Sequence, residues 1–160
     1  GHGTPTQVMA LNPEFVGRSY APTGSYVVGR EKLREFATAI GDGSPAYHDV
    51  AAARALGYAD LVAPPTFAVV MSMQASRAVI HDPELGLDYS RVVHGEQRFA
   101  YARPIVAGDE LVVTTTIESI RSAAGNDMIT TRGDIATLEG EHVATAYSLI
   151  VSRGADEATS

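Results

Sequence analysis

Cysteine is absent from the 160-residue chain, which excludes disulfide bonds and thiolate chemistry. Long apolar runs are absent as well, since none approaches the roughly eighteen residues that a membrane-spanning helix needs. No signal peptide is recognisable in the sequence. We therefore expect a cytoplasmic protein with no membrane partner.

Basic residues are few. The chain has 12 Lys and Arg against 19 Asp and Glu, which gives a formal net charge of −7. Nucleic-acid binding usually requires a basic face that neutralises phosphates. The composition therefore argues against a nucleic-acid partner.

Motifs for metals and cofactors are also missing. His81, His94 and His142 are scattered along the sequence, and no H-x-x-x-H spacing joins them. The GDG sequence at residues 41–43 lacks the third glycine and the preceding strand of a dinucleotide-binding loop. We expect no metal site and no cofactor.

The length allows one domain with a proper hydrophobic core, and 45% of the residues are hydrophobic. We interpret residues 1–8 (GHGTPTQV) as the remnant of an expression tag and residues 9–153 as a single domain. The small and acidic residues 154–160 (GADEATS) are typical of a flexible tail.

Three segments have helical character. From Leu33, apolar side chains recur at i, i+3, i+4 and i+7, which predicts an amphipathic helix over residues 30–40 that Gly41 ends. A short helix is predicted at residues 50–56. The longest is predicted at residues 65–80, and because its apolar residues fall on nearly every face, we expect it to be enclosed on all sides.

Extended segments dominate the rest. A short strand is predicted at residues 25–28, and four long strands at residues 92–102, 110–121, 128–138 and 142–152. In the last of these, Val143, Tyr147, Leu149 and Val151 share one side. Antiparallel strands that follow a wholly apolar helix predict an α+β fold, in which a curved sheet wraps around that helix.

Three local motifs carry a family resemblance: FATAIGDGSPAYHD (residues 36–49), GYADLVAPPTF (57–67) and RPIVAGDEL (103–111). Together with the predicted layout, they resemble the hot-dog fold of the MaoC-like hydratases and dehydratases. The chain is most similar to the FAS1-like dehydratase N-terminal group, which includes the accessory subunits of mycobacterial (3R)-hydroxyacyl-ACP dehydratase. The resemblance covers residues 14–151.

This resemblance implies reversible addition of water to a trans-2-enoyl thioester, carried by CoA or acyl carrier protein, in fatty acid metabolism. In the family, an Asp and a His five residues later form the acid–base pair for the α-proton and the water. A backbone N–H at the start of the central helix donates to the thioester oxygen as negative charge develops.

The sequence departs from that pattern at two places. Asp42 matches the family aspartate, but Tyr47 stands where the histidine belongs and His48 follows one position late. At the start of the predicted helix, Pro64 and Pro65 stand where active relatives carry a glycine, and proline has no N–H to donate. Both parts of the expected catalytic machinery are therefore altered.

The candidate catalytic residues are Asp42 and His48. The candidate substrate-binding residues lie at or near the start of the predicted central helix: Tyr47, Pro65, Thr66, Phe67, Val70 and Met71. Simpler interpretations stay open, with Asp42 as a turn residue, Tyr47 as a packed aromatic and His48 as a surface histidine before a helix N-cap at Asp49.

Three functions are compatible with these features. The first is an acyl-thioester-binding subunit of an (R)-specific 3-hydroxyacyl dehydratase, paired with a catalytic MaoC-type chain because one hot-dog module needs a second. The second is a homodimeric (R)-specific enoyl-CoA hydratase that uses Asp42 and His48. The third is a non-enzymatic module that binds acyl-CoA or acyl-ACP. A hot-dog thioesterase is disfavoured because residues 65–80 contain no carboxylate.

Overall fold

The structure is a computed structural model that describes residues 13–22 and 24–153. The predicted tag remnant at residues 1–8 and the predicted tail at residues 154–160 lie outside these described residues. Within the described ranges, no helix is long and apolar enough to cross a lipid bilayer.

The helices and strands follow one another in a simple order. Two short strands, β1 (Ser19–Tyr20) and β2 (Tyr26–Val27), precede the helices α1 (Arg30–Ala39), α2 (Val50–Ala55) and α3 (Ala68–Ile80). Four long strands follow: β3 (Val92–Tyr101), β4 (Glu110–Ala123), β5 (Asn126–Thr137) and β6 (His142–Ser152). Short 3-10 helices lie at Pro13–Phe15, Pro45–Tyr47 and Tyr89–Arg91.

All strand pairs are antiparallel. The spatial order is β1-β4-β5-β6-β3, and β2 pairs with β4 beside β1. Strand β3 therefore pairs with β6 rather than with β4, the strand that follows it in the sequence. This places β3 at an edge of the sheet, with one side of its backbone unpaired among the described residues. The predicted α+β architecture, an antiparallel sheet against one long helix, is confirmed.

Helix α3 presents one face to the sheet. Its buried residues are Ala68, Met71, Ser72, Ser76, Val79 and Ile80, which recur at the spacing of a single helical stripe. On the opposite face Gln74 and Arg77 are exposed, and Met73 is 37% exposed. The prediction that the helix is enclosed on all sides is thus wrong for the single chain, because the sheet covers only one side of it.

The start of α3 also differs from the prediction. The helix begins at Ala68 rather than at Pro65, because residues 64–67 form a turn in which the Phe67 N–H donates to the Pro64 carbonyl at 2.9 Å. The Phe67 side chain is fully buried and packs edge-to-face against Phe36 of α1, with ring centroids 5.3 Å apart. This contact fixes the start of α3 against α1.

The hairpin between β4 and β5 is tighter than predicted. The strands continue to Ala123 and from Asn126, which leaves Ala124 and Gly125 as a two-residue turn with φ of +54° and +83°. Positive φ at both positions is typical of a type I′ turn. The sequence prediction missed the two-residue strand β1 and placed the remaining helix and strand ends within about two residues.

Candidate functional site

The loop that carries the predicted catalytic residues begins with a helix C-cap. Gly41 has φ of +77°, and its N–H donates to the Thr38 carbonyl at 3.0 Å, while the Asp42 N–H donates to the Ala37 carbonyl at 2.9 Å. This pair of bonds is a Schellman motif, which glycine favours because it has no Cβ. The end of α1 therefore fixes the position of Asp42.

The Asp42 carboxylate is held by its own loop. Its Oδ1 atom accepts hydrogen bonds from the Ser44 hydroxyl at 2.7 Å and from the Ser44 N–H at 3.0 Å. The Ser44 hydroxyl, and then the Ser44 N–H, lower the pKa of Asp42 below its ordinary value. The carboxylate is consequently an ionised turn-stabilising group, as in an Asx turn.

The His48 side chain points back into the same loop. Its Nε2 atom lies 3.0 Å from the backbone oxygen of Asp42, and its own carbonyl accepts a bond from Arg34 Nε of α1 at 2.9 Å. The next residue, Asp49, caps α2 by accepting from the Ala51 N–H at 3.2 Å. The loop thus brings Asp42 and His48 together, but the imidazole bonds the Asp42 backbone rather than its carboxylate.

A cavity of about 370 Å³ lies beside this loop, and we call it the entrance cavity because it lies at the start of α3. Its lining residues are mostly apolar or aromatic: Tyr47, Tyr58, Val62, Ala63, Pro64, Pro65, Tyr101, Ala102, Arg103, Pro104 and Ile105. The predicted binding residues Tyr47 and Pro65 line it. Asp42 and His48 are not among the residues that line it.

Tyr101, at the end of β3, lies over the start of α3. Its hydroxyl donates a hydrogen bond to the Pro65 carbonyl. Burial raises the pKa of Tyr101 above its ordinary value. The Tyr101 hydroxyl therefore lies against the turn that precedes α3, at the wall of the entrance cavity.

A second cavity, of about 540 Å³, runs along the side of α3, and we call it the helix-side cavity. Met71, Ala75 and Ala78 of α3 form one wall, and Leu111 and Val113 of β4 form another. Residues 20–22 and 24–26, Thr115 of β4 and the side chains of Gln74 and Arg77 complete the lining. Its volume lies within the range of small-molecule sites.

The other predicted binding residues have varied positions. Met71 lines the helix-side cavity, whereas Phe67 is fully buried in the core. Val70 is half-buried against that core, and Thr66 is exposed in the turn before α3. Neither Thr66, Phe67 nor Val70 lines either cavity described above.

The described residues contain no group of three or more His, Asp or Glu side chains that are placed to hold a metal ion.

Arg103, which lines the entrance cavity, forms ion pairs with two carboxylates. Its Nη1 and Nη2 atoms bond Asp109 at 2.9 and 3.1 Å, and its Nε atom bonds Glu141 at 3.1 Å. These two carboxylates neutralise the guanidinium.

The sequence prediction missed Tyr58 and Tyr101 as residues of the site. Tyr58 lies in the GYADLVAPPTF motif, and Tyr101 lies two residues before the RPIVAGDEL motif. Both are therefore in or close to the motifs that carry the resemblance. Their convergence depends on strand β3 lying beside the start of α3, which local sequence does not specify.

Comparisons with known proteins agree with this architecture. The model of the family described as FAS1-like, dehydratase domain region, matches residues 14–146. UPF0336 proteins of Streptomyces avermitilis and Streptomyces coelicolor are 60% and 59% identical to this chain over 149 and 150 residues. These matches cover 93% and 94% of this chain and 99% and 100% of the two relatives.

Solved structures give the same result. A MaoC-like dehydratase is 40% identical with a TM-score of 0.82, and the match covers 89% of this chain but only 43% of that one. The C-terminally truncated HadBC (3R-hydroxyacyl-ACP dehydratase) complex of Mycobacterium tuberculosis is 32% identical with a TM-score of 0.79, covering 86% of this chain and 97% of that one. The predicted hot-dog fold is confirmed, and the chain belongs to the FAS1-like dehydratase family within the MaoC-like hot-dog group.

Proposed function

We propose that this chain is the acyl-thioester-binding subunit of an (R)-specific 3-hydroxyacyl-thioester dehydratase, and that a separate MaoC-type chain supplies the working Asp and His. The observation that carries this proposal is the loop of residues 41–49. The His48 imidazole bonds the Asp42 backbone oxygen at 3.0 Å, and the Oδ1 atom of the Asp42 carboxylate accepts two hydrogen bonds from Ser44. General acid–base catalysis requires both groups within hydrogen-bond reach of the reacting atoms.

The start of α3 also supports the proposal that this chain binds the acyl thioester while the partner catalyses the reaction. Pro64 and Pro65 have no N–H, so neither residue can donate a backbone hydrogen bond. A thioester oxygen therefore meets no free backbone donor at residues 64 and 65. Stabilisation of the enolate oxygen by a backbone N–H is therefore not available at these two residues.

The acyl chain would lie in the helix-side cavity. Met71, Ala75 and Ala78 form an apolar wall along α3, opposite Leu111 and Val113. Burial of apolar acyl carbons against these side chains supplies binding free energy at about 25 cal/mol per Å². The methionine can repack around chains of different length. This chain would thus hold the lipid part of the substrate while the partner acts on the reacting carbons.

Strand β3 supports pairing with a second chain. It lies at the edge of the sheet, and an open strand edge is a template for another strand. The similar MaoC-like dehydratase is a chain of which this one spans only 43%, so that protein has room for a second module. The HadBC structure is described as a complex. We propose that a MaoC-type chain, or a second copy of this chain, covers this edge, and the cytoplasm stays the predicted location.

Co-expression with candidate MaoC-type chains tests the proposal. The purified pair is expected to hydrate crotonyl-CoA or a longer enoyl thioester, whereas this chain alone is expected to be inactive. A control substitutes the aspartate of the partner's acid–base pair and is expected to abolish turnover by the pair. Robust turnover by the purified chain alone would contradict the proposal and favour the homodimeric hydratase. Thioester binding without turnover in any pairing would favour the non-enzymatic binding module.

A further inference from the structure

We propose that the hydroxyl of Tyr101 donates a hydrogen bond to the carbonyl oxygen of an acyl thioester whose thioester group and pantetheine arm lie in the entrance cavity. This inference rests on the proposed function, because it assigns one contact of the same ligand. Residues 64 and 65 have no N–H to donate to the thioester oxygen, and in this proposal the Tyr101 side chain is the donor instead.

The polar lining of the entrance cavity indicates the kind of ligand that fits. Tyr47, Tyr58 and Tyr101 contribute three phenol groups, and the hydroxyls of Tyr47 and Tyr58 form no hydrogen bond with any described residue. Burial raises the pKa of Tyr47, so its hydroxyl keeps its proton at neutral pH. A protonated phenol can donate one hydrogen bond to an acceptor. The entrance cavity therefore presents uncharged hydrogen-bond donors to a bound ligand.

The charged groups around the entrance cavity further restrict the class of ligand that it can bind. Arg103 is the one cationic side chain among the described lining residues, and Asp109 and Glu141 bond it from two sides. No cation of the lining is free to pair with a phosphate or carboxylate, and burying an unpaired anion is costly. An uncharged ligand with carbonyl acceptors, such as a thioester and the amides of a pantetheine arm, meets these conditions.

The geometry around Tyr101 explains why its hydroxyl is the donor to the thioester. The Tyr101 hydroxyl donates its hydrogen bond to the Pro65 carbonyl, at the start of the turn before α3. A ligand carbonyl can replace the Pro65 carbonyl as acceptor, and because Pro65 is exposed, water can then bond its oxygen. This exchange leaves no buried donor unpaired.

Two ligands that differ by one carbonyl test the assignment. Hexanoyl-pantetheine carries the thioester oxygen, and the hexyl thioether of pantetheine lacks it. By titration calorimetry, the full-length protein is expected to bind the thioester about threefold to tenfold more tightly, the usual worth of one neutral hydrogen bond. Tyr101→Phe keeps the ring and is expected to remove this preference. The matched control is Tyr89→Phe, because Tyr89 is 63% exposed, stacks on His81 and does not line the cavity.

Three results would overturn the inference. Equal affinity of the unsubstituted protein for both ligands would show that no donor meets the carbonyl, whether or not the variant folds. An unchanged preference in Tyr101→Phe would exclude Tyr101 while leaving the proposed function intact. Tighter thioester binding by Tyr101→Phe would mean that the hydroxyl hinders the ligand rather than donating to it. Failure to bind either ligand would contradict the proposed function as well.

Discussion

The guanidinium of Arg103 and the carboxylate of Asp109 form a bidentate pair, with N–O distances of 2.9 and 3.1 Å. Asp109 also accepts the Val106 N–H at 2.9 Å, in the turn where Gly108 has φ of +98°. The first and seventh residues of the RPIVAGDEL motif thus close the connection between β3 and β4. They also fix one wall of the entrance cavity.

Asp109→Ala is expected to lower the free energy of unfolding by about 1–3 kcal/mol, because Arg103 and the Val106 N–H both lose a charged acceptor. The Asp109 side chain is only 13% exposed, so water replaces it poorly. Urea denaturation measures the change. The control is Glu35→Ala, whose 72% exposed side chain pairs with Lys32 and is expected to cost less than about 0.5 kcal/mol. Equal losses in both variants would contradict a structural role for the pair.

Asp60 should contribute to acid sensitivity. Its carboxylate accepts from Arg30 Nε at 2.9 Å, from Arg30 Nη2 at 2.8 Å and from the Leu61 N–H at 2.7 Å. The Arg30 and Leu61 hydrogen bonds lower the pKa of Asp60 from 3.8 to about 2.

A carboxylate whose pKa is lower in the folded protein stabilises the fold above pH 4, and this contribution is lost as the pH falls from about 4 to about 2. Asp60→Asn is expected to reduce stability at pH 6 and to flatten its decline over that interval. Urea unfolding at pH 6, 4 and 3 checks both effects. A decline as steep as that of the unsubstituted protein would exclude Asp60 as its source.

Phe67 is expected to act mainly through stability. Because its side chain is fully buried against Phe36, Phe67→Ala should lower the free energy of unfolding by about 3–5 kcal/mol. The control Met73→Ala removes a side chain that is 37% exposed on the other face of α3, and a change within about 0.5 kcal/mol is expected. A small stability loss in Phe67→Ala, together with a changed acyl-chain preference, would instead favour the sequence-based assignment of Phe67 to substrate binding.

Ala124 offers a stabilising substitution. It has φ of +54°, which is strained for alanine and easier for asparagine. Ala124→Asn is expected to raise the free energy of unfolding by about 0.5–1 kcal/mol. Thermal unfolding measures the gain. Ala123→Asn, in the adjoining strand β4, should give no gain, and a similar effect in both variants would exclude the turn as the cause.

Substitutions in the loop of residues 41–49 separate the two enzymatic functions. In Asp42→Asn the amide oxygen can still accept from Ser44, so the loop keeps its shape. Asp42→Asn and His48→Ala are both expected to leave enoyl-thioester hydration by the paired enzyme unchanged. A loss of about a hundredfold or more, the usual effect of removing a general acid or base, would instead favour Asp42 and His48 as catalytic residues.

Much of the fold follows from local sequence. The apolar spacing from Leu33 and the left-handed Gly41 predict α1 and its end, and turn residues separate the strands near the observed positions. The start of α3 was predicted wrongly at Pro65 because proline suits a first helical turn in general. Here, burial of Phe67 against Phe36 and the bond from its N–H to Pro64 favour a turn instead. Such tertiary contacts are not local signals.

The strand pattern was informative in part. Of the four residues predicted to share one side of β6, Tyr147, Leu149 and Val151 are half-buried, whereas Val143 is fully buried in the core. The opposite face, which lies against α3, carries the small residues Ala144 and Ala146 together with Ile150. Large apolar residues alone therefore do not identify the side of β6 that faces the helix, because both faces carry them.

The sequence predicted only the part of the candidate site that lies in one short loop. Residues 42–48 lie in one short loop, so their proximity follows from sequence, but the bond from His48 to the Asp42 backbone depends on loop conformation. The contact between Tyr101 and Pro65 joins residues 36 positions apart. It exists because β3 crosses over to pair with β6, and no periodicity in the sequence specifies that crossing.

The free side of β3 can accept only one neighbouring strand. If both a second copy and a different chain can use it, the two assemblies compete for the same backbone amides and carbonyls. Their ratio then follows from the relative amounts and affinities of the two chains. Producing this polypeptide in excess would consequently draw molecules into the homotypic form.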